Sequence, residues 1–132
     1  RSLAARSPVP VTVTAREVGR LTPTIEAIAY FVVSESLTNV AKHSGATRAD
    51  VTLERRLTPK GGEQLAITVR DDGRGGADPS RGTGLTGLRH RVGAVDGTLE
   101  VHSPPGGPTT LVATIPLRHA QTITATTPGA PS

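Results

Sequence analysis

Residues 65–103, "LAITVRDDGRGGADPSRGTGLTGLRHRVGAVDGTLEVHS", contain a glycine pattern that two different folds use. "GTGLTGL" (82–88) has the G-x-G-x-x-G spacing of dinucleotide-binding folds, and Glu100 lies eighteen residues after Gly82, near where such folds hold a ribose. That fold needs a strand directly before the first glycine and a parallel strand after the helix. Here the loop "GRGGADPSR" precedes Gly82, and "TLEVHS" leads into a hairpin. The order of elements therefore argues against NAD binding and predicts that Glu100 simply faces outward from a strand.

A long helix is predicted upstream, in "TPTIEAIAYFVVSESLTNVAKHSG" (22–45). Thr22 can cap its N-terminus, Pro23 suits the first helical position, and Gly45 closes the far end. Alternating valines in "VPVTVT" (9–14) predict a strand before it. Two apolar stripes predict that the helix is buried on most sides; they are Ile25, Ile28, Ala29, Val32 and Val40, and Tyr30, Val33, Leu37 and Ala41.

Two hairpins and a second helix follow along the chain. "ADVTLERRL" places Val51, Leu53 and Leu57 on one face, a series that Arg55 interrupts, and "LAITVRD" pairs with it. After a glycine-rich loop, "LTGLRHRVGAVDG" (85–97) has helical spacing, and "TLEVHS" and "TTLVATIPL" form the last two strands. The order β-α-β-β-loop-α-β-β predicts an α+β fold, a two-layer α/β sandwich with a mixed, mostly antiparallel sheet.

Composition limits the partners of the chain. Its 132 residues are enough for one domain, and fifteen Lys and Arg against eleven Asp and Glu give a net charge of +4, which favours polyanions. The lone Tyr and lone Phe lie in an apolar run, which disfavours a binder of single-stranded nucleic acid, and the absence of cysteine excludes thiolate metal sites. Because the chain starts with Arg1, we expect residues 1–8 to be a linker from an upstream segment, 9–117 a domain, and 118–132 a disordered tail.

The long helix carries the first group of residues that could perform chemistry. Glu35 and Asn39 are four residues apart and share a face, and Lys42 and His43 continue it one turn later. A carboxylate, an amide, an ammonium and an imidazole therefore line up on an otherwise apolar helix. The solvated face of a half-buried helix would have the same pattern.

The second and third groups lie on either side of the glycine-rich loop. In "RDDGRGG" (70–76) a strand delivers Asp71 and ends in glycines, where a flat ligand can approach the backbone and an exocyclic amine can donate to the acid. A strand end with a glycine turn explains the same residues without a ligand. "GTGLTGL" opens a helix, whose N-terminal N–H groups and dipole suit phosphate.

In this order, the three groups resemble the ATP-binding catalytic domain of sensor histidine kinases, in the superfamily that includes gyrase-type ATPases and certain chaperones. "ESLTNVAKH" is similar to the N box, "DDGRGG" to the D-x-G-x-G box, and "GTGLTGL" to the glycine box at the end of the ATP lid. Residues 26–54 are especially similar to the subfamily that partners helix-turn-helix response regulators. The resemblance covers residues 9 to 117 and implies the Bergerat-type fold with ATP and Mg²⁺ as ligands.

The resemblance implies that the N box lies on the phosphate side of the nucleotide. Asn39 would ligate a Mg²⁺ bridging the ATP phosphates, and Glu35 would orient or hydrate that ion or act as a base. Lys42 would face the phosphates, with His43 beside it. The lid would be hinged, and the phosphates cradled, by Gly82, Thr83, Gly84, Leu85 and Gly87.

On the adenine side, the resemblance implies that Asp71 binds the exocyclic amine. Gly73 and Gly75 would let the ring approach, and Thr109 or Thr110 would support Asp71 through a hydroxyl or a water molecule. The last box departs from the family pattern G-x-G-T, because "GGPT" has Pro108 where the second glycine is usual. Proline fixes φ and removes a donor, so we expect an altered wall near the adenine. Four nearby arginines could contact phosphate or form a solvated surface: Arg74, Arg81, Arg89 and Arg91.

A phosphoacceptor histidine of this family is usually followed by an acid, and none of the four histidines here is: they are His43, His90, His102 and His119. The resemblance therefore implies a histidine kinase domain whose acceptor histidine lies on a separate dimerisation domain, with a response regulator downstream and no direct nucleic-acid partner. We expect a cytoplasmic domain that is monomeric alone, within a homodimeric protein that a membrane segment elsewhere could anchor. The alternatives are a stand-alone serine kinase of the anti-sigma type and a nucleotide-binding module without catalysis.

Overall fold

The computed structural model describes residues 9–41, 45–73 and 83–117, without the side chains of residues 83 and 84. The elements within these residues follow the predicted order. They are β1 (Val11–Arg16), α1 (Pro23–Asn39), β2 (Ala49–Leu57), β3 (Glu63–Asp71), α2 (Thr83–Gly93), β4 (Thr98–His102) and β5 (Thr109–Leu117).

The strands form one mixed sheet in the order β1-β2-β3-β5-β4. β1 runs parallel to β2, and the other three neighbouring pairs are antiparallel. The strand that follows α2 is therefore antiparallel to its neighbour, unlike the parallel strand of a dinucleotide-binding unit. Glu100 is exposed between buried Leu99 and half-buried Val101, as predicted. The α+β prediction is confirmed.

The core lies between one face of the sheet and the two helices. Strand residues in register form apolar rows across that face, such as Leu53, Ile67, Ala113 and Leu99. α1 packs against β3 and α2, and α2 packs against β4 and β5. The side chains that are almost completely buried are Leu65, Ile67, Leu88, Ile115, Val32, Val51 and Val92. No helix in the described segments is long and apolar enough to cross a membrane.

The start of α1 agrees with its sequence. The Thr22 hydroxyl accepts a hydrogen bond from the Ile25 N–H (3.2 Å), and Pro23 is the first helical residue. A π-type turn at residues 40 and 41 follows the helix, and Gly45 has a φ of 66°. The second apolar stripe was predicted wrongly in part, because the Tyr30 side chain is 56% exposed. Tyr30 falls outside the face that packs on the sheet.

The boundaries of α2 differ from the prediction at both ends. The helix begins at Thr83, inside the glycine run, and ends at Gly93 rather than at Gly97. Asp96, not a glycine, takes the left-handed conformation there (φ 63°). Gly97 is needed for space, because a Cβ atom at this position would lie 2.7 Å from the Thr114 carbonyl oxygen and from Val92 Cγ1. Both atoms belong to the packed interface of α2 with β5.

The end of β2 also corrects the sequence analysis. Leu57 is 75% exposed although it falls on the same face of β2 as buried Val51, because it is the last strand residue before the turn. Arg55 falls on that face too and is half-buried; its guanidinium donates to the Arg20 carbonyl oxygen (2.8 Å) and lies 3.5 Å from a Glu63 carboxylate oxygen. This residue therefore ties the segment before α1 to the sheet.

Candidate nucleotide-binding site

Asp71 is the last residue of β3 and lies between Ala49 and Thr109 in the register of the sheet. It is one of two buried polar residues among those described and is only 4% exposed. The backbone N–H of buried Gly73 donates to Asp71 Oδ1 at 2.7 Å. In the described segments, no other group donates a hydrogen bond to this carboxylate. Within these segments, Asp71 Oδ2 therefore has no donor.

The surroundings of Asp71 raise its pKa above the ordinary value of 3.8. Burial is the main cause, since it disfavours the charged form, and the negative charge of Asp72 adds to it. The hydrogen bond from Gly73 acts in the opposite direction. A buried carboxylate with an open oxygen at a strand end is a candidate acceptor for an amine, because a neutral donor there would offset part of the cost of burying the charge.

α1 places Glu35 and Asn39 at the margin of its packed face. Both side chains are half-buried, whereas Ser36 and Leu37 between them are buried in the core. Thr38, on the outer side, is exposed and donates its hydroxyl to the Ser34 carbonyl oxygen. The pair therefore lies at the boundary of the helix layer. Asn39 is the last residue of α1, and Lys42 and His43 lie outside the described residues.

The described part of the glycine box, from Thr83 onward, lies in the first turns of α2. Leu85 and Gly87 are half-buried in the first turns of the helix, and Leu85 packs against the edge of the core. A Cβ atom at Gly87 would meet nothing within 4 Å. The sequence-predicted residues Gly75, Gly82, Arg74 and Arg81 lie outside the described residues, as do the side chains of residues 83 and 84.

Thr109 and Thr110 occupy different positions relative to Asp71. Thr109 is directly opposite Asp71 in the β3–β5 register, whereas Thr110 is opposite Arg70. The Thr109 hydroxyl lies 2.6 Å from that of Ser103. The turn before it has positive φ at Gly106 (91°) and Gly107 (78°), and the Gly107–Pro108 peptide bond is cis. The register therefore favours Thr109 as the residue beside Asp71.

Two of the basic residues near the glycine box have partners within the protein. The Arg89 guanidinium donates to the Leu99 carbonyl oxygen at 3.1 Å. The Arg91 guanidinium lies 4.5 Å from the centre of the Phe31 ring and so joins α2 to α1 by a cation–π contact. These contacts give both arginines a structural role, Arg89 between α2 and β4 and Arg91 between α2 and α1.

Sequence reasoning missed Asp72 and Thr47. The Thr47 N–H donates to Asp72 Oδ1 at 2.7 Å, the Arg48 N–H donates to the same oxygen at 3.1 Å, and the Thr47 hydroxyl donates to Oδ2. These bonds join the segment after α1 to the end of β3. The only sequence signal was the second acid in "DDG", which indicates no partner by itself.

Comparison with known proteins identifies the family. The sequence pattern of the histidine kinase-, DNA gyrase B- and HSP90-like ATPases matches residues 24–119. The chain belongs to this ATPase family. In this family the chain is similar to the sensor histidine kinase YvfT of Bacillus subtilis, with 32% identity over 98 residues, which is 74% of this chain and 24% of YvfT. It is also similar to the signal transduction histidine-protein kinase/phosphatase DegS of Brevibacillus brevis, with 28% identity over 96 residues, which is 70% of this chain and 24% of DegS.

Among solved structures, the ATPase domain resembles the EL346 blue-light activated histidine kinase of Erythrobacter litoralis. The TM-score is 0.70 at 30% identity, and the match covers 92% of this chain and 41% of that one. The ATPase domain thus spans about a quarter of the length of YvfT and DegS. The matches confirm the family and the fold expected from the three sequence boxes.

Proposed function

We propose that this ATPase domain is the catalytic domain of a two-component sensor histidine kinase. It would bind Mg·ATP and transfer the γ-phosphoryl group to a histidine on a separate dimerisation domain. That histidine would then pass the phosphoryl group to a response regulator of the helix-turn-helix class. The observation that carries the proposal is Asp71, a buried carboxylate at the end of β3 that, within the described residues, accepts a hydrogen bond on only one of its oxygens. The names of the similar proteins support the same class of reaction.

On the adenine side, Asp71 Oδ2 would accept a hydrogen bond from the exocyclic amine. The Gly73 N–H holds the other oxygen, which fixes the orientation of the carboxylate before the nucleotide arrives. Gly73 and Gly75 would leave room for the ring, and Thr109 would support Asp71 from β5. Such preorganisation lowers the cost of ordering the site on binding.

On the phosphate side, the residues present fit a magnesium ion. The described residues contain no group of three or more acidic or histidine side chains that could form a protein cage for a metal. Mg²⁺ instead favours one or two protein oxygens with phosphates and water, so the Asn39 amide would suffice. When bound, the ion would neutralise phosphate charge. Glu35, one turn earlier, would orient water or accept a proton.

The remaining predicted residues would complete the phosphate pocket. The α2 N-terminus would direct backbone N–H groups at the phosphates, since the first N–H groups of a helix have no partner within it. Lys42 would add positive charge, with His43 beside it. The glycine box, which would cradle the phosphates, comprises Gly82, Thr83, Gly84, Leu85 and Gly87.

In the transfer itself, the acceptor imidazole nitrogen would form the new P–N bond, the bond between the γ-phosphorus and the β–γ bridging oxygen would break, and ADP would leave.

The proposal is tested with the full-length protein and γ-labelled ATP. We expect label on the protein that is lost in acid and retained in alkali, as for phosphohistidine, and no label on this domain alone because it would lack the acceptor. Acid-stable label on a separate substrate would instead indicate a serine kinase. Nucleotide binding without any transfer would indicate a non-catalytic module. Binding of NAD in place of ATP would overturn the site itself.

We also propose a cytoplasmic position for this domain, a monomeric state for the domain alone and a homodimeric full-length protein. The shared dimerisation domain would bring a second copy, and the acceptor histidine would come from it or from the same subunit. Analytical ultracentrifugation of the domain and of the full-length protein tests both oligomeric states. A dimer of the isolated domain would contradict the proposal.

A further inference from the structure

The carboxylate of Asp72 holds together two segments that are far apart in the sequence. It accepts hydrogen bonds from the Thr47 and Arg48 N–H groups, at 2.7 and 3.1 Å, and from the Thr47 hydroxyl. The Asp72 N–H donates in return to the Arg48 carbonyl oxygen at 3.4 Å. We call these four hydrogen bonds the Asp72 clamp.

The clamp connects the two sides of the proposed site. Asp72 follows Asp71 directly, and Thr47 and Arg48 lie between the end of α1, which carries Asn39, and the start of β2. The clamp joins the segment at 45–48 to the end of β3 just ahead of the pairing of Ala49 with Asp71. The clamp therefore fixes the chain after the N box against the adenine-binding end of the strand.

Both oxygens of Asp72 already have donors. The pKa of Asp72 is lowered, first by the Thr47 hydroxyl and then by the backbone N–H groups of Arg48 and Thr47, so the carboxylate stays charged and its hydrogen bonds are charge-assisted. Asp71 and Asp72 thus differ in role. Among the described residues, Asp71 has a donor on only one oxygen, whereas both oxygens of Asp72 have donors.

We propose that Asp72 is a positioning residue for nucleotide binding, which acts through Thr47 and touches no part of the nucleotide. This inference rests on the proposed function. Its consequence is specific: loss of the clamp should displace Asp71, so every ligand that shares the adenine ring should lose affinity by the same factor. A residue that contacted phosphate would affect ATP and ADP but not adenosine.

The test compares Asp72→Ala, Thr47→Val, the double variant and Thr47→Ser by calorimetry with an ATP analogue, ADP and adenosine. All measurements are made where circular dichroism shows each variant fully folded. We expect Asp72→Ala to weaken the binding of all three ligands about tenfold, a loss that corresponds to about one hydrogen bond to a charged group. Thr47→Val should also weaken the binding of all three ligands. Thr47→Ser should bind them as the unmodified protein does, because serine keeps the hydroxyl.

The double variant decides whether the two residues act as one unit. If Asp72 works through Thr47, the double variant should bind no more weakly than Asp72→Ala, because the alanine has already removed the three hydrogen bonds that the carboxylate accepts. Additive losses would overturn the proposal, and so would a loss confined to ATP and ADP or unchanged affinity in folded Asp72→Ala. Glu54→Gln is the matched control, since it removes a half-buried carboxylate outside the clamp that pairs with Arg56 (3.2 Å). If the unmodified protein bound no nucleotide, the result would contradict the proposed function and not the positioning role of Asp72 in particular.

Discussion

Replacement of Asp71 by asparagine tests the buried acceptor directly. The amide has nearly the same shape, and its oxygen can still accept from the Gly73 N–H, now 2.7 Å from Oδ1. Its nitrogen would then take the place of Oδ2 and present a donor to the adenine amine, which is also a donor. A mismatched buried hydrogen bond costs about 1–3 kcal/mol. The dissociation constant for ATP should therefore rise about 5-fold to 150-fold.

Folding should respond in the opposite direction. Burial raises the pKa of Asp71, so the folded protein disfavours the charged carboxylate at neutral pH and this penalty disappears as the pH falls through the raised pKa. The asparagine variant never carries the charge. Its free energy of unfolding at neutral pH should therefore equal or exceed that of the unmodified protein, while nucleotide binding is weakened.

The assay combines calorimetry with an ATP analogue and urea denaturation, each from neutral to acidic pH. Affinity of the unmodified protein should fall on acidification at a pH above the ordinary range of an aspartate, because the acceptor becomes protonated; Asp71→Asn should lack this step. Asp50→Asn is the control, since Asp50 lies opposite Arg70 on the outer face of the sheet. Unchanged affinity in folded Asp71→Asn, or a loss of affinity matched by a loss of stability, would refute the reasoning.

Three further variants test the other sides of the site and the fold. Asn39→Ala should weaken Mg·ATP while leaving magnesium-free nucleotide nearly unaffected, and equal calorimetric losses in both conditions would assign Asn39 to structure instead. Glu35→Gln should slow phosphoryl transfer in the full-length protein at nearly constant ATP affinity; an affinity loss as large as the rate loss would contradict that division of roles. Gly97→Ala should lower the free energy of unfolding in urea by about 1–3 kcal/mol, since the new methyl group would lie 2.7 Å from packed atoms of Thr114 and Val92. Gly93→Ala, where a Cβ atom meets nothing within 4 Å, should show no such loss, and equal midpoints for the two variants would disprove the steric argument.

The elements of the fold were predictable because their periodicity reflects burial. β3 alternates Leu65, Ile67 and Val69 toward the helices, and the structure buries all three. The boundaries of α2 were not predictable in the same way. Its first turn uses glycines, which a pattern assigns to a loop, and its end is set by a turn at Asp96 and by the contact of Gly97 with β5. Those contacts depend on packing between elements far apart in the sequence.

The same limit applies to the environment of Asp71 within the site. Its place at a strand end before glycines could be predicted, and the Asp-x-Gly spacing also suits the local hydrogen bond from Gly73. The burial of Asp71 could not be predicted, because it depends on Ala49 and Thr109, which the register of the sheet places on either side of it. The sequence therefore predicts a candidate binding residue, and the tertiary structure determines how deeply its carboxylate is buried.

The two adjacent aspartates show why a motif alone cannot assign roles. "DD" presents two identical side chains, but Asp71 is the last residue of β3 and Asp72 follows the strand, so the two acids have different surroundings. Asp71 is directed into the protein, where burial raises its pKa; Asp72 is exposed, where the Thr47 hydroxyl and two backbone N–H groups lower its pKa. Because the charge of Asp72 also raises the pKa of Asp71, the clamp residue and the candidate binding residue are linked electrostatically as well as through the backbone. A change at Asp72 should therefore alter the pKa of Asp71 as well as its position. Both effects fall on the adenine side, so they should change the affinities for ATP, ADP and adenosine alike.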